Sequence, residues 1–162
     1  METLKRIYTL RSHKIYSLPI VILMPHSRCN CRCVMCDIWK GNNNVQQLNK
    51  SDIEKLLNSL KKLDTKWVVM SGGEALMHPN FFILCDILKS KKIKISILST
   101  GLLLKKYATE IISKTDEVIV SLDGSQEVHD RIRNIPNAFE KLSEGVRELK
   151  KINKKYKITA RC

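Results

Sequence analysis

Four of the six cysteines in this 162-residue chain fall in one octet, Cys29-Asn30-Cys31-Arg32-Cys33-Val34-Met35-Cys36. Thiolates are soft ligands that suit zinc or iron-sulfur clusters, and the gaps between them decide which can close. A structural zinc site usually draws on two short knuckles far apart in sequence. No second knuckle accompanies this octet: His78 and His129 are isolated, and Cys85 and Cys162 have no near partner. The spacing Cys29-x3-Cys33-x2-Cys36 instead offers three thiolates to one compact object. On a four-iron cubane, three thiolates leave one iron open to a ligand from outside the protein. Cys31 does not fit the triplet and reads as a bystander. Cys85 recurs at helical spacing with Phe81, Leu84 and Leu88 and reads as a core residue.

The elements that must position these thiols follow from hydrophobic periodicity. The apolar run Ile20 to Met24 directly precedes the octet, so the cysteines sit on a loop leaving a buried strand. Further strands are expected at Trp67 to Met70, Ile93 to Leu98, Glu117 to Leu122 and from Tyr156 to Arg161. Helices alternate with them. One begins at Ser51, with Ser51 and Glu54 as a capping box and Ile53, Leu56, Leu57, Leu60 and Leu63 on one face. Another opens at Pro79, a third runs through Leu104, Ala108, Ile111 and Ile112, and a fourth opens at Pro136 with Phe139, Leu142, Val146 and Leu149 apolar. Such alternation implies parallel strands, hence a βα barrel or an open doubly wound sheet. The octet, Gly72-Gly73-Glu74, Ser99-Thr100 and Ser121 to Asp123 all end successive strands, which a barrel would gather at one mouth.

The cysteine triplet resembles the signature of the radical S-adenosylmethionine (radical SAM) enzymes, and the later motifs agree with it in order. Gly72-Gly73-Glu74 resembles the family's Gly-Gly-Glu segment, and Ser121-Leu122-Asp123-Gly124 with His129, Asp130 and Arg133 resembles its maturase-like and molybdenum-cofactor-biosynthesis-like members. The resemblance implies a partial (β/α) barrel of about five parallel strands with outer helices. It also implies a [4Fe-4S] cluster on Cys29, Cys33 and Cys36, and SAM held by Gly72, Gly73, Glu74, Thr100, Ser121 and Arg133. Many members carry an aromatic residue where this chain has Met35, and Ser99-Thr100-Gly101 stands where Thr-Asn-Gly is usual. Asp123 is expected to orient Arg133 or line the substrate mouth; His129 and Asp130 either cap the next segment or act chemically. Trp39 is either a wall beside the cluster or an ordinary core residue. The implied reaction is reductive cleavage of SAM to a 5'-deoxyadenosyl radical, with an electron donor such as flavodoxin or ferredoxin and an unidentified substrate. The resembling core has six strands, so residues 18 to 162 read as a core incomplete at its C-terminal end, behind a basic lead-in over 1 to 17. A short helix on the barrel's outside is expected in that lead-in.

Net charge is +13, with Lys and Arg dispersed along the chain, a pattern of solvated helix faces. Two rival readings use the same residues: a cluster-binding or electron-transfer module without SAM turnover, and a zinc-binding nucleic-acid module. Gly73, Glu74, Ser121 and Arg133 speak against the first, and the scarcity of aromatic stacking platforms against the second. No apolar stretch approaches the ~20 residues of a membrane span. Pro19 interrupts the one signal-peptide-like run, and clustered free thiols favour a reducing compartment, so the expected location is the cytoplasm.

Overall fold

A computed structural model describes residues 2–162, and Met1 of the basic lead-in lies outside them. Five strands form one all-parallel sheet in sequential order: β1 (Ile20–Leu23), β2 (Trp67–Met70), β3 (Lys94–Ser99), β4 (Glu117–Ser121) and β5 (Lys157–Arg161). Among the described residues six α-helices accompany them: α1 (Glu2–Ser12), α2 (Lys50–Lys62), α3 (Phe81–Lys89), α4 (Ala108–Lys114), α5 (Gln126–Arg133) and α6 (Ala138–Ile152). This is the partial α/β barrel that the resemblance implies and one of the two architectures that strand and helix alternation allows, with each cysteine, glycine and serine motif following a strand's C-terminal end.

The two sheet faces differ. Val68, Met70, Ile95, Ile97, Val118 and Val120 are buried in one core with Phe81, Leu84 and Leu88 of α3, Ile111 of α4 and Leu142 and Leu149 of α6. Cys85 is fully buried in that core, and burial pushes its thiol up to about 12. The register places Ile22, Val69, Ser96, Glu117 and Lys157 on the opposite, concave face. There Trp67 Nε1 donates to Ser96 Oγ at 2.5 Å, the Ser96 hydroxyl donates to Glu117 at 2.8 Å, and Lys157 pairs with Glu117. Lys157 also lies over the Trp67 ring, which closes a polar ring across four strands.

Several expectations change. β1 is an edge strand whose Ile20 and Ile22 are 52% and 64% exposed. Only Val21 and Leu23 meet the core, because the helices cover one face while a continuous apolar run suggests burial on both. The capping box of α2 is Asn49 with Asp52, two residues before the expected Ser51 pair. Both pairs fit the pattern, and the earlier one wins because Leu48 is anchored beside it by Pro25 and His78. α3 starts after Asn80, not at Pro79, and the segment before α4 is a series of turns through Leu104. α5 escapes periodicity because it is short and largely polar; Asn134 ends it in the left-handed conformation, and the Asp130 carboxylate accepts the Phe139 N–H to cap α6. α1 forms, but it turns Lys5 toward Asp64 of the body and leaves Leu4, Tyr8 and Leu10 exposed.

The unequal faces carry a stability prediction. Ile97→Ala should cost about 2–5 kcal/mol in denaturant unfolding, as expected for a buried large-to-small change. Ile22→Ala, on the open face, should stay within about 0.5 kcal/mol of the parent.

Candidate active site

The cysteine loop, residues 28 to 36, has no regular secondary structure, yet its backbone is held from three sides. Its first anchor is the turn after β2. Glu74 N–H donates to the Arg28 carbonyl at 2.8 Å, and His26 Nε2 donates to the Glu74 carbonyl at 2.8 Å. The chains touch so closely that a Cβ on Gly73 would lie 2.0 Å from the Arg28 carbonyl oxygen and 3.0 Å from Cys29 Cβ. Gly72 sits at φ +108°, where a side chain is strained as well as crowded. The second anchor is Asn42, whose side-chain amide accepts the Cys29 N–H at 3.0 Å and donates to the Cys29 carbonyl at 2.9 Å. The third is the end of α5, where the carbonyls of Arg133 and Ile132 accept the N–H groups of Arg32 and Val34.

These anchors place Cys29, Cys33 and Cys36 on one cavity of about 230 Å³, shared with Met35, Ile38, Gly72, Gly73, Leu98, Ser99, Thr100, Ser121 and Arg133. The residues singled out by motif thus converge, with Glu74 as the exception. Its carboxylate is fully buried behind the glycines. It accepts Thr100 N–H at 2.7 Å, Thr100 Oγ1–H at 2.6 Å, Ser99 Oγ–H at 3.0 Å and Leu76 N–H at 3.2 Å. Burial raises its pKa and those hydrogen bonds oppose the rise. Glu74 therefore ties the ends of β2 and β3 together. Thr100 Oγ1 also lies 3.1 Å from Asn30 Oδ1, which links the same knot to the cysteine loop.

Arg133 is gripped by Asp123 through Nε at 2.6 Å and Nη2 at 2.7 Å, while its Nη1 lies 3.6 Å from Cys33 Sγ. Of the two roles expected for Asp123, it takes the orienting one. The buried His129 ring sets Nδ1 3.1 Å from Asp123 Oδ2, and burial lowers the histidine's pKa. Cys31 is buried next to Cys33; that neighbour first, and then the charge of Arg133, favour the Cys33 thiolate, while burial opposes it. Burial first of all raises the Cys29 pKa. Trp39 lies outside the cavity wall, and Ile38 takes the place expected for it.

The donor set fits a thiolate-bound cluster. Among the described residues that line the cavity, the thiols of Cys29, Cys33 and Cys36, with the thioether of Met35 beside them, are the soft donors, and no carboxylate or imidazole joins them. An all-sulfur set suits iron-sulfur chemistry rather than a hard cation. Among the described residues, no group of three His, Cys, Asp or Glu side chains is arranged to hold a single metal ion, and no helix is long and apolar enough to cross a membrane.

A parallel half-barrel with three thiols, a glycine pair and an arginine at one mouth defines a cofactor-binding α/β enzyme core. The family model of the Radical SAM superfamily matches residues 23–161, and the chain belongs to that superfamily, whose members use a [4Fe-4S] cluster and SAM. The chain is 30% identical over 122 residues to a probable GTP 3',8-cyclase of Methanococcus maripaludis, covering 74% of this chain and 41% of that protein. It is 26% identical over 137 residues to the AdoMet-dependent heme synthase of Methanosarcina barkeri, covering 80% of this chain and 38% of the relative. Among solved structures, Streptococcus suis SuiB bound to the precursor peptide SuiA matches with a TM-score of 0.75 at 18% identity, over 98% of this chain and 36% of that one. Methylornithine synthase (PylB) matches with a TM-score of 0.71 at 20% identity, over 98% and 50% of the two chains. These two likenesses are of fold. The chain spans about two fifths of the length of the first two curated relatives.

Sequence reasoning missed Asn42, which lies in a polar Asn run that nothing in its pattern distinguishes from an ordinary connection. It also missed the use of Glu74 as a buried acceptor, because the motif gives its place and not its partners.

Two substitutions test this geometry. Gly73→Ala should push the Arg28–Cys29 backbone away and sharply lower iron bound per chain after anaerobic reconstitution. Gly41→Ala, where a Cβ meets nothing within 4 Å, should bind iron as the parent does. Glu74→Ala strands two buried backbone donors at roughly 1–3 kcal/mol each, so unfolding should show a loss of at least ~2 kcal/mol.

Proposed function

We propose that residues 18 to 162 form a radical SAM core in which Cys29, Cys33 and Cys36 ligate a [4Fe-4S] cluster. In the same reading, Gly72, Gly73, Thr100, Ser121 and Arg133 hold SAM, and Glu74, named by the motif, fixes Thr100 from behind. The observation that carries this reading is the convergence of three thiols, the glycine pair, Thr100, Ser121 and Arg133 on one cavity of about 230 Å³ from the ends of four strands. When bound, the cluster supplies the electron that cleaves SAM reductively to methionine and a 5'-deoxyadenosyl radical, which then acts on the substrate.

The chain's own residues bind, orient and exclude water. The Gly72–Gly73 backbone lets a ligand approach closely, and its carbonyls accept the SAM ammonium. Arg133 keeps two N–H donors beyond those given to Asp123 and Cys33, enough to grip the SAM carboxylate. The hydroxyls of Thr100 and Ser121 take polar groups of the ribose side. Met35, Ile38 and Leu98 make the cavity's apolar wall and keep water from a reactive radical. The electron comes from a small donor protein such as flavodoxin or ferredoxin, in the cytoplasm. The names of the relatives span heme synthesis, cyclisation of GTP and bacteriocin biosynthesis, so no one substrate is carried over.

Replacing Cys29, Cys33 or Cys36 by Ala should abolish the brown absorbance of the reconstituted protein, while Cys85→Ala retains it. With dithionite and SAM, the parent should form 5'-deoxyadenosine and the three cysteine variants should not. Zinc without sulfide in the purified protein, or equal loss of absorbance in all four variants, would overturn the assignment.

A further inference from the structure

The chain of contacts from His129 to Cys33 has a direction. Asp123 takes Nε and Nη2 of Arg133 with its two oxygens, so the negative end of the pair lies on the side away from Nη1. Nη1 is then left facing Cys33 Sγ at 3.6 Å. Both side chains are nearly buried, at 11% and 10% exposure, and the buried His129 ring fixes the Asp123 main chain, its Nδ1 accepting the Asp123 N–H at 3.3 Å. The Arg133 main chain is fixed too, since its carbonyl accepts the Arg32 N–H within the cysteine loop. The guanidinium therefore cannot turn from the sulfur without breaking a bidentate ion pair and leaving a largely buried carboxylate unpaired, which is costly.

We propose that Asp123 and Arg133 act as positioning residues that set the reduction potential of the cluster, by holding a guanidinium N–H against the sulfur of Cys33. This inference rests on the reading that Cys33 ligates the cluster, and it adds to the SAM contact a role that exists when SAM is absent. Reduction brings one electron from an external reductant and makes the cluster one charge more negative, with no bond formed or broken. A donor and positive charge beside a ligand sulfur stabilise that reduced form more than the oxidised one, and hydrogen bonds to cluster sulfurs are among the determinants of potential. The neutral pair still has a net effect, because its positive end is the nearer one.

The test is an EPR-monitored redox titration of the reconstituted full chain without SAM, reduced by dithionite. Arg133→Gln should disfavour reduction by about tenfold, equivalent to about 59 mV more negative for a one-electron couple. If Asp123 acts through Arg133, the same substitution should have a much smaller effect in an Asp123→Ala background. Resonance Raman spectra give a second readout: the parent should show an iron–thiolate stretch that shifts on solvent deuteration, and Arg133→Lys should lose part of that shift. An unchanged potential in Arg133→Gln at normal iron content overturns the proposal, even if SAM affinity falls. Should Arg133→Gln hold no cluster, an unaltered deuteration shift in Arg133→Lys overturns it instead. Failure of the parent itself to hold a cluster refutes the underlying cofactor assignment, which is a different result.

Discussion

The site depends on one contact without a side chain: Gly73 lies directly against the Arg28–Cys29 backbone, where a single added carbon would come within 2.0 Å of a carbonyl oxygen. A loop of nine residues, 28 to 36, carrying four cysteines has little to stabilise it locally. Its backbone polar groups must find partners elsewhere, because unmet donors and acceptors are costly when buried. The glycine permits the approach that lets Glu74 N–H and His26 Nε2 stitch loop to turn. Asn42 and the end of α5 then fix the two flanks.

From that contact the rest of the mouth follows. Glu74 faces inward because the turn is pinned in front of it, and its carboxylate gathers donors from the end of β3. Thr100 and Ser99 are thereby fixed on the cavity rim. On the far side, the short helix α5 delivers Arg133 to the loop by both its carbonyl and its guanidinium. Substitutions at Glu74 or Arg133 consequently report on architecture as well as on cofactor binding. Binding losses in such variants need a stability measurement beside them.

Much of this was legible in the residues. Parallel alternation, the strand ends and the cysteine triplet follow from periodicity and spacing, and β2 falls where its apolar residues place it. What escaped was decided by partners remote in sequence. The half-exposure of β1 reflects helices covering one face only, which an apolar tetrapeptide cannot reveal. The cap of α2 at Asn49 was settled by anchors on Pro25 and His78 that hold Leu48. Asn42 is indistinguishable from Asn43 and Asn44 until the fold brings Cys29 beside it. Cys31, set aside as a bystander by spacing, is buried against Cys33.

The central claim is that three cysteine ligands leave one iron of a [4Fe-4S] cluster free to bind SAM at this mouth. Electron-nuclear double resonance on the reduced, reconstituted chain, with SAM labelled by 15N at the amino group and 17O at the carboxylate, tests it most directly. Hyperfine coupling of both labels to the cluster spin is the predicted result. A well-formed cluster signal that neither changes on addition of saturating SAM nor couples to either label would contradict the claim.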